Sequence, residues 1–116
     1  MTGRVTGIGG VFFRAEDPKA LAEWYTRHLG VTIEDFWPQE AGNAVLAPFK
    51  ADTDYWSTDK QWMINFRVSA LADLVERLQA AGIAVERRAE WDSPGIGRFA
   101  RIVDPEGNAI ELWEPA

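Results

Sequence analysis

Arg98-Phe99-Ala100-Arg101-Ile102-Val103-Asp104-Pro105-Glu106-Gly107-Asn108-Ala109-Ile110-Glu111-Leu112-Trp113-Glu114-Pro115 predicts a β-hairpin. Its two arms are rich in apolar, β-branched and aromatic residues, and Asp-Pro-Glu-Gly-Asn between them reverses the chain. Pro105 presets φ for a turn, while Gly107 and Asn108 tolerate positive φ. Strand side chains alternate between faces. Ala100, Ile102, Ile110 and Leu112 therefore fall on one side, and Phe99, Arg101, Val103, Glu111 and Trp113 on the other. The first set is uniformly apolar. The second places a carboxylate and a guanidinium among aromatic rings, which suits a concave ligand surface and equally suits a cross-strand ion pair on a wet sheet face.

Immediately upstream, Ser93-Pro94-Gly95-Ile96-Gly97 reads as a loop and residues 83–88 as a strand. Before them, Ser69 is placed to cap a helix whose apolar stripe is Leu71, Leu74, Val75 and Leu78, with Gly82 stopping it. Residues 61–68 read as the strand that feeds this helix. Residues 50–60 are polar, with Asp52, Asp54 and Asp59 around Tyr55 and Trp56, and read as a linker or mobile loop. Further back, residues 11–15 read as a strand, and Asp17-Pro18 opens a helix with a cap and a proline at the first position. Leu21, Trp24, Tyr25, His28 and Leu29 form its buried stripe, Gly30 ends it, and strands follow over 31–37 and 44–49.

The halves repeat. Phe13-Arg14-Ala15 through Leu29-Gly30-Val31 matches Phe66-Arg67-Val68 through Ala81-Gly82-Ile83. Each half is a strand, a helix and then further strands, unlike the regular alternation of a doubly wound sheet. The prediction is an α+β fold made of two βαβββ modules, over about 1–54 and about 60–116 of a single domain. A helix-covered sheet needs one apolar face. Val11, Phe13, Ile64, Phe66 and Val68 share the parity of the apolar hairpin residues and are expected under the helices. The opposite parity gives Gly10, Phe12, Arg14, Met63, Asn65, Arg67, Phe99, Arg101, Glu111 and Trp113, too polar for a core and too aromatic for a plain wet surface.

Composition narrows the partners. A formal net charge of -6 spread over 116 residues opposes attraction to phosphate backbones and anionic lipid. Nucleic acid and membrane are excluded as expected partners. The chain has no cysteine, so disulfides and thiolate metal sites are ruled out. Neither a signal-peptide pattern nor a membrane-spanning run is present, which gives a cytoplasmic protein as the expectation. The six tryptophans serve cores, interfaces and ligand pockets alike.

Asp17 with its helix and Trp24-Tyr25, Leu29-Gly30, Ala80-Ala81-Gly82, and above all Gly97-Arg98 leading to Asp104-Pro105-Glu106-Gly107-Asn108-Ala109-Ile110-Glu111-Leu112 resemble the vicinal oxygen chelate superfamily. That superfamily includes glyoxalases, extradiol dioxygenases, and fosfomycin and bleomycin resistance proteins. The resemblance covers essentially the whole chain. It implies that the two modules curl into a cup-shaped mixed sheet with helices on the outer face and a ligand or metal on the concave face. It also implies a homodimer, since relatives commonly pair and some complete each cup across the interface. In metal-dependent relatives the ligands are a His on the first strand, a His or similar residue before the second helix, and a Glu on the last strand. Glu111 matches the last, whereas the others fall at Gly10, or Gly9, and at Met63. An open metal site draws about three protein ligands, so no cofactor is expected, with a divalent metal held by Glu111 as the alternative. His28 lies on the helix stripe, away from the cup, and the three loop aspartates lack the spacing of a calcium loop.

Two functions follow from this resemblance. The first is a metal-free binder of a small anionic or polar aromatic molecule, with Phe12, Met63, Phe99 and Trp113 as walls. Arg14, Arg67 and Arg101 would engage a carboxylate or phosphate, with Asn65 beside them and Glu111 accepting from a ligand hydroxyl or amine. The second is a divergent lyase, isomerase or dioxygenase using Glu111 as general base or metal ligand. Two of three metal positions are unmatched, and neither Ser57 nor Ser93 sits in a nucleophile motif, so the sequence leaves open whether the chain is an enzyme. A third reading, a structural or regulatory subunit, predicts a cup plugged by its own Trp and Arg side chains.

Overall fold

In a computed structural model of the chain, which describes residues 2–33 and 35–116, the two helices form where side-chain chemistry favours them. Helix α1, Pro18–Leu29, starts with Asp17 Oδ1 accepting from the Ala20 N–H at 3.1 Å and Pro18 in the first turn. It ends at Gly30, whose φ of 68° suits glycine. Helix α2, Leu71–Ala80, starts differently from expectation. Ala70, at φ 49°, occupies the cap without a side-chain hydrogen bond, so Ser69 lies one position too early to serve. The helix closes as anticipated near Gly82, where the Ile83 N–H reaches the Leu78 carbonyl at 3.0 Å.

Three strands make one mixed sheet in the order β1-β3-β2. They are β1, Ile64–Arg67, β2, Gly97–Val103, and β3, Ala109–Pro115. β1 and β3 are parallel, which requires a crossover, and α2 supplies it. β2 and β3 are the predicted antiparallel hairpin, with Arg101 opposite Glu111 and Phe99 opposite Trp113. Ala100, Ile102, Ile110 and Leu112 are at most 1% exposed and pack with Leu21, Tyr25, Leu71, Val75 and Leu78. Ile64, Phe66 and Val68 lie half-buried against this core.

The hairpin turn ties the sheet to α1. Asp104 is buried and accepts from the Tyr25 hydroxyl at 2.7 Å, from the N–H groups of Glu106 and Asn108, and from Asn108 Nδ2. Glu106 accepts from the N–H groups of Glu16 and Asp17, at 2.7 and 3.1 Å, just ahead of α1. Burial, and then the hydrogen bond to the Asp104 carboxylate, push the Tyr25 phenol far above its usual range.

The two-module prediction meets a difference. The strands expected over 11–15, 31–37 and 44–49 are not formed among the described residues, and Glu34, inside the second of these, lies outside them, as does Met1. One module is formed, over the second half. A strand needs a backbone partner as well as a favourable sequence. Among the described residues the 83–88 segment pairs with β2 only at the bridge of Glu86 with Arg101, before the chain turns into a 3₁₀ helix at Ala89–Trp91. Without a partner strand, parity no longer fixes side-chain direction. Val11 and Phe13, expected under the helices, are about half exposed, at 52% and 51%. Phe13 retains one edge of contact, its ring 6.0 Å from that of Tyr25.

Candidate functional site

Register sets the site. Asn65, Glu111 and Arg101 stand side by side across β1, β3 and β2, and Glu86 extends the row through its bridge to Arg101. The next row on the same face is Arg67, Trp113 and Phe99. Both rows lie opposite the helix-covered core, on the mixed face that the alternation predicted.

Arg101 and Glu111 do not pair directly. Glu111 Oε2 accepts from the Tyr55 hydroxyl at 2.5 Å, and Oε1 accepts from Asn65 Nδ2 at 2.7 Å. The Arg101 guanidinium lies over the Tyr55 ring, 4.3 Å from its centroid, and 5.3 Å from that of Trp91. Such placement over a ring face is attractive, and more so when water is excluded. Arg101 Nε and Nη2 are buried and have no hydrogen-bond partner among the described residues. A buried guanidinium N–H without an acceptor is costly, and a ligand oxygen would relieve that cost. Burial, followed by the hydrogen bond to Glu111, pushes the Tyr55 phenol up to about 12, against an opposing pull from Arg101.

The other predicted residues divide. Phe99 and Trp113 stack, centroids 6.4 Å apart and planes 7° from parallel, and the Trp113 indole donates to the Ile96 carbonyl. Arg67 Nη2 donates to the Glu40 carbonyl at 2.8 Å, so it is engaged with the chain itself. Met63 is half-buried just before β1. Phe12, 96% exposed, and Arg14, also exposed, are not brought to this face by a strand. Sequence reasoning missed Tyr55 and Trp91. The only signal for Tyr55 was an aromatic pair inside an otherwise polar loop.

Two clefts reach Trp24 of α1. One, of about 400 Å³, runs between α1 and the hairpin turn at Trp24, His28 and Pro105. Another, of about 540 Å³, lies along residues 82–86 and is lined by Arg101 of the site as well as by Trp24. His28 packs beside the Trp24 ring on that helix side, as its stripe position implied.

A metal of the kind the superfamily uses does not fit these residues. Glu111 has both oxygens occupied, Gly10 offers no side chain, and Met63 offers a thioether. Among the described residues no group of three or more His, Cys, Asp or Glu is disposed to hold an ion. Asp59, in the acidic loop, accepts instead from the Ser57 hydroxyl, which lowers its carboxyl below the ordinary range.

The family model for the glyoxalase-like domain matches residues 10–113, nearly the whole chain. The chain belongs to the glyoxalase-like family. Among solved structures, this glyoxalase-like chain is similar to TnmS3, an antibiotic binding protein from Streptomyces sp. CB03234. Identity is 25% and the TM-score 0.59, with 97% of this chain and 100% of that one covered. It is also similar to a glyoxalase/bleomycin resistance protein from the same organism, at 25% identity and a TM-score of 0.53, covering 85% of this chain and 92% of that one. No curated protein matches. No helix is long and apolar enough to cross a membrane, among the described residues.

Proposed function

We propose that this glyoxalase-like protein binds a small anionic or polar aromatic molecule on the face formed by Asn65, Glu111, Arg101, Phe99 and Trp113, without the superfamily's metal triad. One observation carries the reading: the buried, unpartnered Nε and Nη2 of Arg101, set beside two aromatic rings and a carboxylate. Convergent polar groups within aromatic walls are what a small-molecule site needs. The likeness to an antibiotic binding protein supports the same direction.

The reading includes a two-module cup, with residues 1–54 as the second wall, and a homodimer. The sequence repeat and a family match extending from residue 10 support the first. Exposed apolar side chains over the first half support the second. Calorimetric titration with 2-hydroxybenzoate, benzoate and a neutral analogue, benzyl alcohol, tests the function. The two carboxylates should bind and the neutral compound should not. Arg101→Met should weaken the carboxylates at least tenfold, since it removes hydrogen bonds between charged groups. Equal affinity of wild type and Arg101→Met would contradict the proposal.

A further inference from the structure

Tyr55 occupies the place where a ligand would make its best contacts. Its ring lies under Arg101, its hydroxyl donates to Glu111, and Phe49 stacks on it, centroids 5.8 Å apart and planes 26° from parallel. Trp91 meets its ring at 67°, centroids 6.2 Å apart. Tyr55 is thus a planar phenol in a site with a carboxylate acceptor at one end and a cation against its face.

The loop that carries it is fastened lightly. Within 50–60 the Thr53 N–H donates to the Lys50 carbonyl, the Tyr55 N–H to Thr53 Oγ1, the Trp56 indole to the Lys60 carbonyl, and the Lys60 N–H to the Ser57 carbonyl. All of these are internal to the loop. Its hydrogen bonds to the rest of the described molecule are the Tyr55 hydroxyl on Glu111 and a Lys60 Nζ contact of 3.3 Å to the Glu106 carbonyl. Lifting Tyr55 away keeps the loop's own turns; it breaks the bond to Glu111 and the ring contacts with Arg101, Phe49 and Trp91, which an incoming planar aromatic would remake. Segments with few outward bonds open at the lowest free energy.

We infer that Tyr55 is an internal stand-in for the ligand, and that the ligand is a hydroxylated planar aromatic carrying a neighbouring anionic oxygen. This rests on the binding reading above and narrows it. The incoming hydroxyl replaces the Tyr55 hydroxyl on Glu111, the incoming ring replaces the Tyr55 ring under Arg101, and the anionic oxygen accepts from Arg101 Nε and Nη2, which Tyr55 leaves without a partner. This differs from the plug of Trp and Arg side chains expected of a structural or regulatory subunit: the occupant is a tyrosine, and it is displaceable. Asn65 keeps its bond to Glu111 Oε1 in both states and so holds the carboxylate for either partner.

Affinities of 2-hydroxybenzoate and benzoate for wild type, Tyr55→Phe and Tyr55→Ala test this, with thermal unfolding confirming that each variant is folded. Tyr55→Phe removes only the competing hydroxyl, and 2-hydroxybenzoate should bind it about tenfold more tightly than wild type, the factor expected for a lost hydrogen bond to a charged acceptor. Tyr55→Ala should bind at least as tightly as Tyr55→Phe. In all three proteins 2-hydroxybenzoate should bind better than benzoate, because only it carries the hydroxyl for Glu111. Unchanged or weaker binding to Tyr55→Phe makes Tyr55 a ligand contact instead of a competitor and overturns the inference while leaving the binding reading intact. Equal affinities for the two compounds overturn the hydroxyl assignment. Failure of both compounds to bind any of the three proteins overturns the inference and the binding reading together.

Discussion

Asp104 collects four hydrogen bonds in a buried position, so the hairpin turn and the Tyr25 face of α1 depend on one carboxylate. Asp104→Ala should destabilise the protein by about 3 kcal/mol, and Tyr25→Phe, which leaves three donors satisfied, by about 1 kcal/mol. Urea unfolding of the two variants measures the difference, and equal midpoints would contradict it. The tyrosines also predict an alkaline limit. Both phenols are raised, Tyr55 to about 12 from 10.0, so the folded state holds protons that the unfolded chain releases. Their stabilising contribution is complete below pH 10 and is lost as pH rises from about 10 towards and beyond 12. Unfolding followed between pH 9 and 12 should show this decline, and Glu111→Gln should bring phenolate absorbance from Tyr55 to lower pH. At this scale the sequence was legible wherever a residue belonged to a paired strand. Alternation placed Asn65, Arg101, Glu111 and Trp113 on one face. Tyr55 sits in a loop and Trp91 in a single 3₁₀ turn, both too short to carry a period that reveals their direction, and only the folded chain brings them to Arg101.

The helices and the hairpin carry their instructions locally, which is why they could be read. Asp17, Pro18 and Gly30 bracket α1, and removing the cap by Asp17→Ala should cost about 1 kcal/mol. Gly97 matters for a nonlocal reason. At φ 139° a Cβ there would meet the Glu114 carbonyl oxygen at 2.1 Å and the Trp113 indole nitrogen at 2.8 Å. Gly97→Ala should therefore cost about 2 kcal/mol or more by combining backbone strain with a backbone clash. It should also loosen the Phe99–Trp113 stack, visible as a loss of near-ultraviolet circular dichroism. A stability equal to wild type would show that the strand opening tolerates a side chain. The strands expected over 11–15, 31–37 and 44–49 show the limit of local reading. Their side chains suit strands, but hydrogen-bonded partners are a property of the assembly of elements, and no run of residues announces them.

The whole molecule leaves much apolar surface open. Phe12, Phe36, Val5 and Leu46 are between 80% and 96% exposed, and all lie in the first half of the chain. The radius of gyration, 15.1 Å, exceeds the roughly 13 Å usual for a compact chain of this length. Exposed apolar surface on this scale marks an interaction site. Sedimentation at micromolar concentration should give a dimer, and Phe12→Ser with Phe36→Ser should shift it to monomer, whereas a wild-type monomer would contradict the pairing. The most direct measurement of the central claim is nitrogen-15 NMR during titration with 2-hydroxybenzoate. If Arg101 is the anchor, its side-chain Nε–H resonance and the Trp91 indole N–H should shift saturably as its buried donors gain an acceptor. Shifts confined to the Trp24 indole, with Arg101 and Trp91 unmoved, would place binding in the cleft between α1 and the hairpin turn and contradict the account.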